Sequence, residues 1–401
     1  MRKGAALNHP QQAKVGAGRP QATLPVLAVR RLVLGDFRCY RRLVLEAEPR
    51  PQVLSGPNGA GKTNLLEALS FLSPGRGLRQ ARLGEVTRRG AAGGWTVAAS
   101  VGEGADRIEI GTGLAPAAAG AAERRVVKLD GEPARGPAAL SAQVNVVWLT
   151  PRMDRLFVER PRERRRFLDR LVFGFDADHA RRVAAYEHAM RERTRLMREG
   201  GADAAWIAAL ERGMAEHGVA VAAARRAAVA WLRQGLASGA GPFPGAEVSV
   251  SGTLEGWLDE MPALEVEERF AARLAQARAR DAAAGSAGEG PHRSDLEVRH
   301  ADHGIPAAQC STGEQKSLLI AIVLATARLQ AAQRGCAPLL LLDEVAAHLD
   351  RARRQALFEA LRATRAQAWL TGTDRALFEG LEGWAQYSAV SDGRLTAILD
   401  P

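Results

Sequence analysis

Apolar and polar positions alternate through residues 27–34 and 43–47, and a short apolar stretch follows at 53–55. A period of two predicts strands, here Leu27–Leu34, Leu43–Ala47 and Val53–Ser55, with a turn beginning at Gly35-Asp36. The texture then changes, and Lys62–Leu72 reads as a helix. Further strands are predicted at Trp95–Val101, Arg107–Thr112, Val126–Leu129 and Val144–Leu149, with Asp130-Gly131 as a turn dipeptide.

Beyond Pro151 the pattern is different. From Pro161 to about Leu236 the chain is rich in Ala, Arg and Glu, and apolar residues recur at helical spacing, as in Phe167, Leu168, Leu171 and Val172. Gly174, Gly200-Gly201 and Gly213 are expected to divide this stretch into several helices. A strand at Glu247–Ser251, a helix at Met261–Arg280 and a small-residue loop at 282–290 follow. Sheet texture returns after Gly290, a long apolar helix covers Leu318–Leu329, and Leu339–Leu342 reads as a buried strand. The whole predicts an α/β protein with a β-rich N-terminal part, interrupted by a mostly helical second lobe. The expected divisions are 26–150, 151–290 and 291–401. Residues 1–25, low in large apolar side chains and rich in Gly, Pro and Gln, read as a disordered extension.

Composition narrows the class. A chain of 401 residues suits two or three compact units at ~150 residues each. Cys39, Cys310 and Cys336 are far apart and form no CxxC, which excludes a disulfide framework or a four-thiolate zinc site and fits a reducing compartment. The longest apolar run, Leu318–Ala325, falls short of the ~20 residues of a membrane span. No signal-peptide core is visible at the N-terminus. A cytoplasmic protein with no membrane partner is expected.

The net charge of +10 is local. Residues 1–25 carry +4, and residues 152–198 carry 14 arginines against 8 acids, so the remainder is neutral. Such a patch is the footprint of a nucleic-acid partner or a solvated arginine-rich helix face. With only 20 aromatic residues in the chain, backbone contact through arginine suits it better than base stacking. Arg164, Arg165 and Arg166 are the candidate DNA contacts. Lysine is rare: Lys3, Lys14, Lys62, Lys128 and Lys316 are the whole set.

Lys62 falls in the strongest motif, Gly56-Pro57-Asn58-Gly59-Ala60-Gly61-Lys62-Thr63, which lies between a predicted strand and a predicted helix. In such a loop backbone N–H groups and the helix N-terminus cradle phosphates. Lys62 would reach the β/γ-phosphates and Thr63 would hold Mg²⁺, with Asn64 beyond them. The apolar strand at Leu339–Leu342 ends in Asp343-Glu344, a metal-associated carboxylate and a general base for the attacking water. A third element, Ser311-Thr312-Gly313-Glu314, opens the long apolar helix. Read locally it is an N-cap with its capping-box glutamate. Its spacing to Asp343, with one helix between, resembles the signature helix of ATP-binding-cassette (ABC) ATPases, and Ala347-His348-Leu349-Asp350 resembles their D-loop.

Six blocks in order extend the likeness: VRRLVLGDFRCYRRLVLEAEPRPQVLSGPNGAGKTNLLEALSFLSPGRGLRQA, PRERRRFLDRLVFG, GPHRSDLEV, STGEQKSLLIAIVLA, LLLLDEVAAHLDRARR and AWLTGTD. From about residue 27 to the C-terminus the chain resembles the RecF family of bacterial recombination-mediator ATPases, which are related to the SMC group. The resemblance implies an ABC-type ATPase lobe, ATP and Mg²⁺ as cofactors, and a homodimer formed with ATP. There Ser311, Thr312, Gly313 and Glu314 would face the partner's γ-phosphate and Asp350 the dimer seam. It further implies slow, DNA-stimulated hydrolysis acting as a switch. Double- and single-stranded DNA and gap junctions would be bound, with RecR and RecO as partners, to load recombinase at gaps and maintain replication forks.

Two other classes fit less well. A transporter's nucleotide-binding subunit carries a Q-loop glutamine and a switch histidine, where this chain has Thr150-Pro151 and Thr373-Asp374. A coiled-coil chromosome organiser needs long heptads between loop and signature, yet Lys62 and Ser311 are only 249 positions apart, with no sustained heptads between them. The eight histidines show no metal spacing, so no structural metal is expected. His292-Arg293 is a candidate DNA or dimer contact.

Overall fold

The computed structural model describes residues 27–115, 123–199, 203–236 and 242–398; the extension expected at 1–25 lies outside them. The N-terminal part opens with β1 (Val29–Phe37), β2 (Tyr40–Glu46), β3 (Gln52–Ser55) and α1 (Lys62–Ser70), then β4 (Thr96–Val101), β5 (Ile108–Leu114), β6 (Arg125–Leu129), β7 (Glu132–Pro133) and β8 (Val146–Leu149). The middle of the chain forms α2 (Pro161–Phe173), α3 (His179–Glu199), α4 (Ala204–Leu236), β9 (Ala246–Ser251), α5 (Thr253–Glu260), α6 (Ala263–Gln276), α7 (Arg278–Ala284) and β10 (Asp295–His300). The last stretch contributes α8 (Thr312–Arg334), β11 (Leu339–Leu342), α9 (Arg351–Thr364), β12 (Ala368–Gly372), β13 (Gln386–Ser391) and β14 (Arg394–Ile398).

Among the described residues, two six-stranded sheets and one two-stranded sheet result. One large sheet is antiparallel, in the order β2-β1-β4-β5-β6-β7. The other runs β14-β13-β3-β12-β11-β8 and is parallel except at the β14 edge. Its interior strands are apolar on both faces because both faces are covered. Along β11, Leu340 and Leu342 pack with α8, α9 and α2. Leu339 and Leu341 pack with α1 and the antiparallel sheet. A third apolar cluster joins α3, α4, α5 and α6 through Tyr186, Met214, Val219, Leu254 and Phe270.

Several boundaries differ from the sequence reading. β1 continues through Gly35-Asp36 to Phe37, and the reversal comes at Arg38-Cys39. Gly35 is in register with Arg42 on one side and Thr96 on the other, and pairing on both edges overrides local turn preference. Gly213 does not end a helix: α4 spans 33 residues through it. One helical glycine costs about 1 kcal/mol, which the packing of α4 against its neighbours outweighs. The helix expected over Met261–Arg280 is two, α6 and α7, parting at Ala277, and α5 precedes them. β10 joins β9 rather than the parallel sheet. That pairing crosses the division expected at 290/291.

Candidate functional site

β3, β12 and β11 are adjacent and parallel, so their C-terminal ends emerge together, which is where ligands bind in open α/β sheets. β3 leads into the loop 56–61 and α1, β11 leads into Asp343, and β12 ends in Thr371 and Gly372. Gly56 has φ 150°, and a Cβ there would collide with the Val390 carbonyl oxygen of β13. Gly61, with φ 114°, precedes the first helical residue; a Cβ would lie 2.8 Å from the Tyr40 hydroxyl. Both positions need glycine, and the loop backbone is thereby wrapped around the helix start. Pro57, Asn58 and Gly59 are exposed, whereas Ala60 and Lys62 are buried.

The Lys62 ammonium donates to two carbonyls of its own loop, Gly56 O at 2.6 Å and Pro57 O at 2.9 Å. Burial lowers its pKa, opposed by the Glu344 and Asp343 carboxylates. The Thr63 hydroxyl lies 3.0 and 3.1 Å from the two Asp343 oxygens. Thr371 also donates to Asp343, at 2.8 Å, and accepts the Glu344 backbone N–H at 2.9 Å. Burial raises the Asp343 pKa; bonds from Thr371 and Thr63 offset part of the rise, and Glu344 adds to it. Glu344 has a left-handed φ of 53°, a strained conformation of the kind stored at functional sites. Its carboxylate makes no hydrogen bond or ion pair among the described residues.

Other residues brace this centre. Glu67 on α1 is fully buried and pairs with Arg38 at 2.7 Å and Arg79 at 2.9 Å. Arg79 also holds Asn64 Oδ1 at 2.7 Å, and Asn64 contacts Cys39 Sγ at 3.1 Å. Sequence reasoning missed Thr371, Glu67, Arg38 and Arg79. For Thr371 the available signal was a hydroxyl at the end of an apolar strand, two positions before the site taken as the switch.

The signature residues stand apart from these contacts. Ser311, Thr312 and Gly313 are exposed at the start of α8. Ser311 is the N-cap, and its hydroxyl and N–H both reach Glu314 Oε2 at 2.8 Å, completing the capping box. Lys316, almost buried, lies 3.4 Å from Asp154 and links α8 to the segment that follows β8. Asp350 is exposed and caps α9 through the Arg353 N–H at 2.8 Å.

The three candidate DNA arginines are engaged within the protein. Arg164 forms a fork with both Asp295 oxygens at 2.7 and 2.6 Å and also donates to Phe157 and Glu159 carbonyls. Arg165 donates to Ser294 O at 2.7 Å, and Arg166 pairs with Glu163 at 2.9 Å. Burial lowers the pKa of Arg165 and Arg166. Arg164 and Arg165 tie α2 to β10 and its approach, which counts against them as phosphate contacts, whereas the Arg166 pair stays within α2 and leaves that side chain partly exposed. By contrast Arg152, Arg155, Arg160 and Arg162 are exposed and have no ion pair among the described residues. His292 is also internal: its Nε2–H donates to Ala287 O at 3.0 Å, Tyr186 donates to Nδ1 at 2.7 Å, and burial lowers its pKa.

Known proteins match this chain along nearly all of it. The RecF/RecN/SMC N terminal domain family matches residues 28–395. The DNA replication and repair protein RecF of Rhizobium meliloti (strain 1021) is 48% identical, over 91% of this chain and 98% of its own length. That of Mesorhizobium japonicum is 49% identical, over 93% and 98%. Among solved structures, the recombination mediator protein RecF with ATPrS has a TM-score of 0.79 at 20% identity, covering 94% of this chain and all of its own. An Smc head domain derived from Pyrococcus furiosus has a TM-score of 0.52 at 17% identity, covering 93% and 96%. These likenesses set aside the transporter alternative. By sequence along almost its full length, and by a fold shared with RecF and Smc heads, the chain belongs to the RecF family of DNA replication and repair proteins.

Proposed function

We propose that this protein is an ATP-gated DNA-binding switch of recombinational repair and fork maintenance, in which ATP and Mg²⁺ bind at the ends of β3, β11 and β12. The observation that carries this reading is the convergence of Thr63 and Thr371 on the buried Asp343 carboxylate beside Lys62. A buried carboxylate held by two hydroxyls and pushed toward protonation suits a divalent cation, which would restore its charge. Thr63 and Asp343 would hold the ion, whose chemistry is to neutralise phosphate charge. The loop N–H groups and the α1 N-terminus bind phosphate oxygens, and Lys62 exchanges its loop carbonyls for them. Glu344 takes a proton from water.

The exposed Ser311–Gly313 turn suits contact with nucleotide on a second copy, so ATP would join two protomers. Arg152, Arg155, Arg160 and Arg162 suit duplex phosphates near that seam. RecR and RecO as partners, gap junctions as the loading site and a cytoplasmic location belong to the same proposal, and family membership supports them. No helix among the described residues is long and apolar enough to cross a membrane.

Light scattering with and without ATP tests the reading. Wild type should dimerise with ATP. Ser311→Arg should bind ATP yet stay monomeric, and Lys62→Met should lose binding. An unchanged ATP-dependent dimer in Ser311→Arg would remove the proposed role of the signature turn.

A further inference from the structure

His300 ends β10, and its backbone is fixed by a tight reversal: its N–H donates to Ile305 O at 2.9 Å and its carbonyl accepts from Gly304 at 2.8 Å. The reversal brings His303 back over His300, with ring centroids 4.3 Å apart. His300 is only 4% exposed, and its buried Nδ1 has no hydrogen-bond partner among the described residues. The nearest acid to that atom, Asp302, lies 4.0 Å away. An imidazole nitrogen buried without a partner carries a desolvation cost that a ligand would relieve. Glu314 completes the group. Its Oε2 caps Ser311 at 2.8 Å, while its Oε1 lies 3.6 Å from His303 Nε2. One ligand atom from each of His300, His303 and Glu314 falls within 4.8 Å of the others.

We propose that His300, His303 and Glu314 form a binding site for a borderline divalent transition cation, Zn²⁺ by preference, at the foot of the signature turn. Two imidazoles and one carboxylate form a three-ligand set that leaves a fourth position open. Imidazole nitrogens select against Mg²⁺ and Ca²⁺, which prefer all-oxygen shells. Tetrahedral coordination at Zn–N and Zn–O bonds of ~2.0–2.1 Å sets ligand atoms ~3.3–3.4 Å apart. The His303–Glu314 edge is near that spacing, and the half-exposed His303 ring can close the rest by rotating. The histidines are three positions apart and Glu314 lies beyond the reversal, which is why linear spacing hid the group. Because Glu314 would bind metal through one oxygen and Ser311 through the other, the cation would clamp the 300–305 loop to the first turn of α8. The site stands independently of whether that turn closes on a partner's nucleotide.

The test uses the full chain without nucleotide, titrated with Co²⁺ as a spectroscopic probe and with Zn²⁺ as competitor. The expected result is one equivalent of Co²⁺ giving a tetrahedral visible band that Zn²⁺ abolishes and Mg²⁺ does not. His303→Ala, at an exposed position, should weaken binding by at least about tenfold. Zn²⁺ should raise the melting temperature of wild type and not of this variant. Asp343→Asn should leave the band intact, separating it from the nucleotide site. An unaltered Co²⁺ band and affinity in His303→Ala, or no Co²⁺ band in wild type, would overturn the proposal.

Discussion

Thr371 on β12 donates to Asp343 at 2.8 Å and accepts the Glu344 N–H at 2.9 Å, so one hydroxyl fixes both acidic residues at the end of β11. Thr371→Val keeps the shape and removes both bonds. Leaving a buried N–H without a partner costs about 1–3 kcal/mol, so denaturant unfolding should show a loss in that range, with Thr371→Ser close to wild type. An unchanged midpoint in Thr371→Val would mean the relay contributes nothing.

The raised pKa of Asp343 has a definite sign in stability. The folded state holds this proton more tightly than the unfolded chain, so stability present below the ordinary carboxylate value is lost as pH rises through the raised folded value. Without nucleotide, Asp343→Asn should therefore melt above wild type at neutral pH, and the difference should shrink on acidification toward about pH 4. Melting curves across pH decide this; a variant less stable than wild type at every pH would contradict it.

Lys62 and Glu344 should fail differently. Lys62→Met removes the cation beside the loop and should weaken nucleotide binding and turnover together. Glu344→Gln removes only the proton acceptor, so binding should persist while turnover falls by roughly 10²-fold or more. Equilibrium binding and single-turnover rates separate the two. Wild-type turnover in Glu344→Gln would exclude it as the base.

The arginines of the basic segment should also divide. Replacing Arg152, Arg155, Arg160 and Arg162 with Ala should weaken every duplex alike and flatten the salt slope, by ~0.9 per lost phosphate contact. Arg164→Ala should instead destabilise the fold, because Asp295 loses a fork with 14% and 26% exposed side chains. Duplex titrations at several salt concentrations, with a melting curve for each variant, test both. Unchanged affinity and slope in the fourfold variant would place the DNA contact elsewhere.

The linear sequence determined what short-range physics controls. Gly56–Thr63 needs only a strand, glycines and a helix start in succession. Ser311 and Glu314 meet across one helical turn, and the apolar run Leu339–Leu342 ending in Asp343 is legible as it stands. Tertiary structure decided everything that depends on partners distant in the chain. It brought Thr371 and Thr63 to Asp343, Arg38 and Arg79 to Glu67, Arg164 to Asp295, and Glu314 to His303. It also carried α4 through Gly213 and β1 through Gly35. A local motif encodes its own geometry in its spacing. A side chain's charge partner, or the helix that covers a glycine, is fixed only when sheet order and helix packing bring separate segments together.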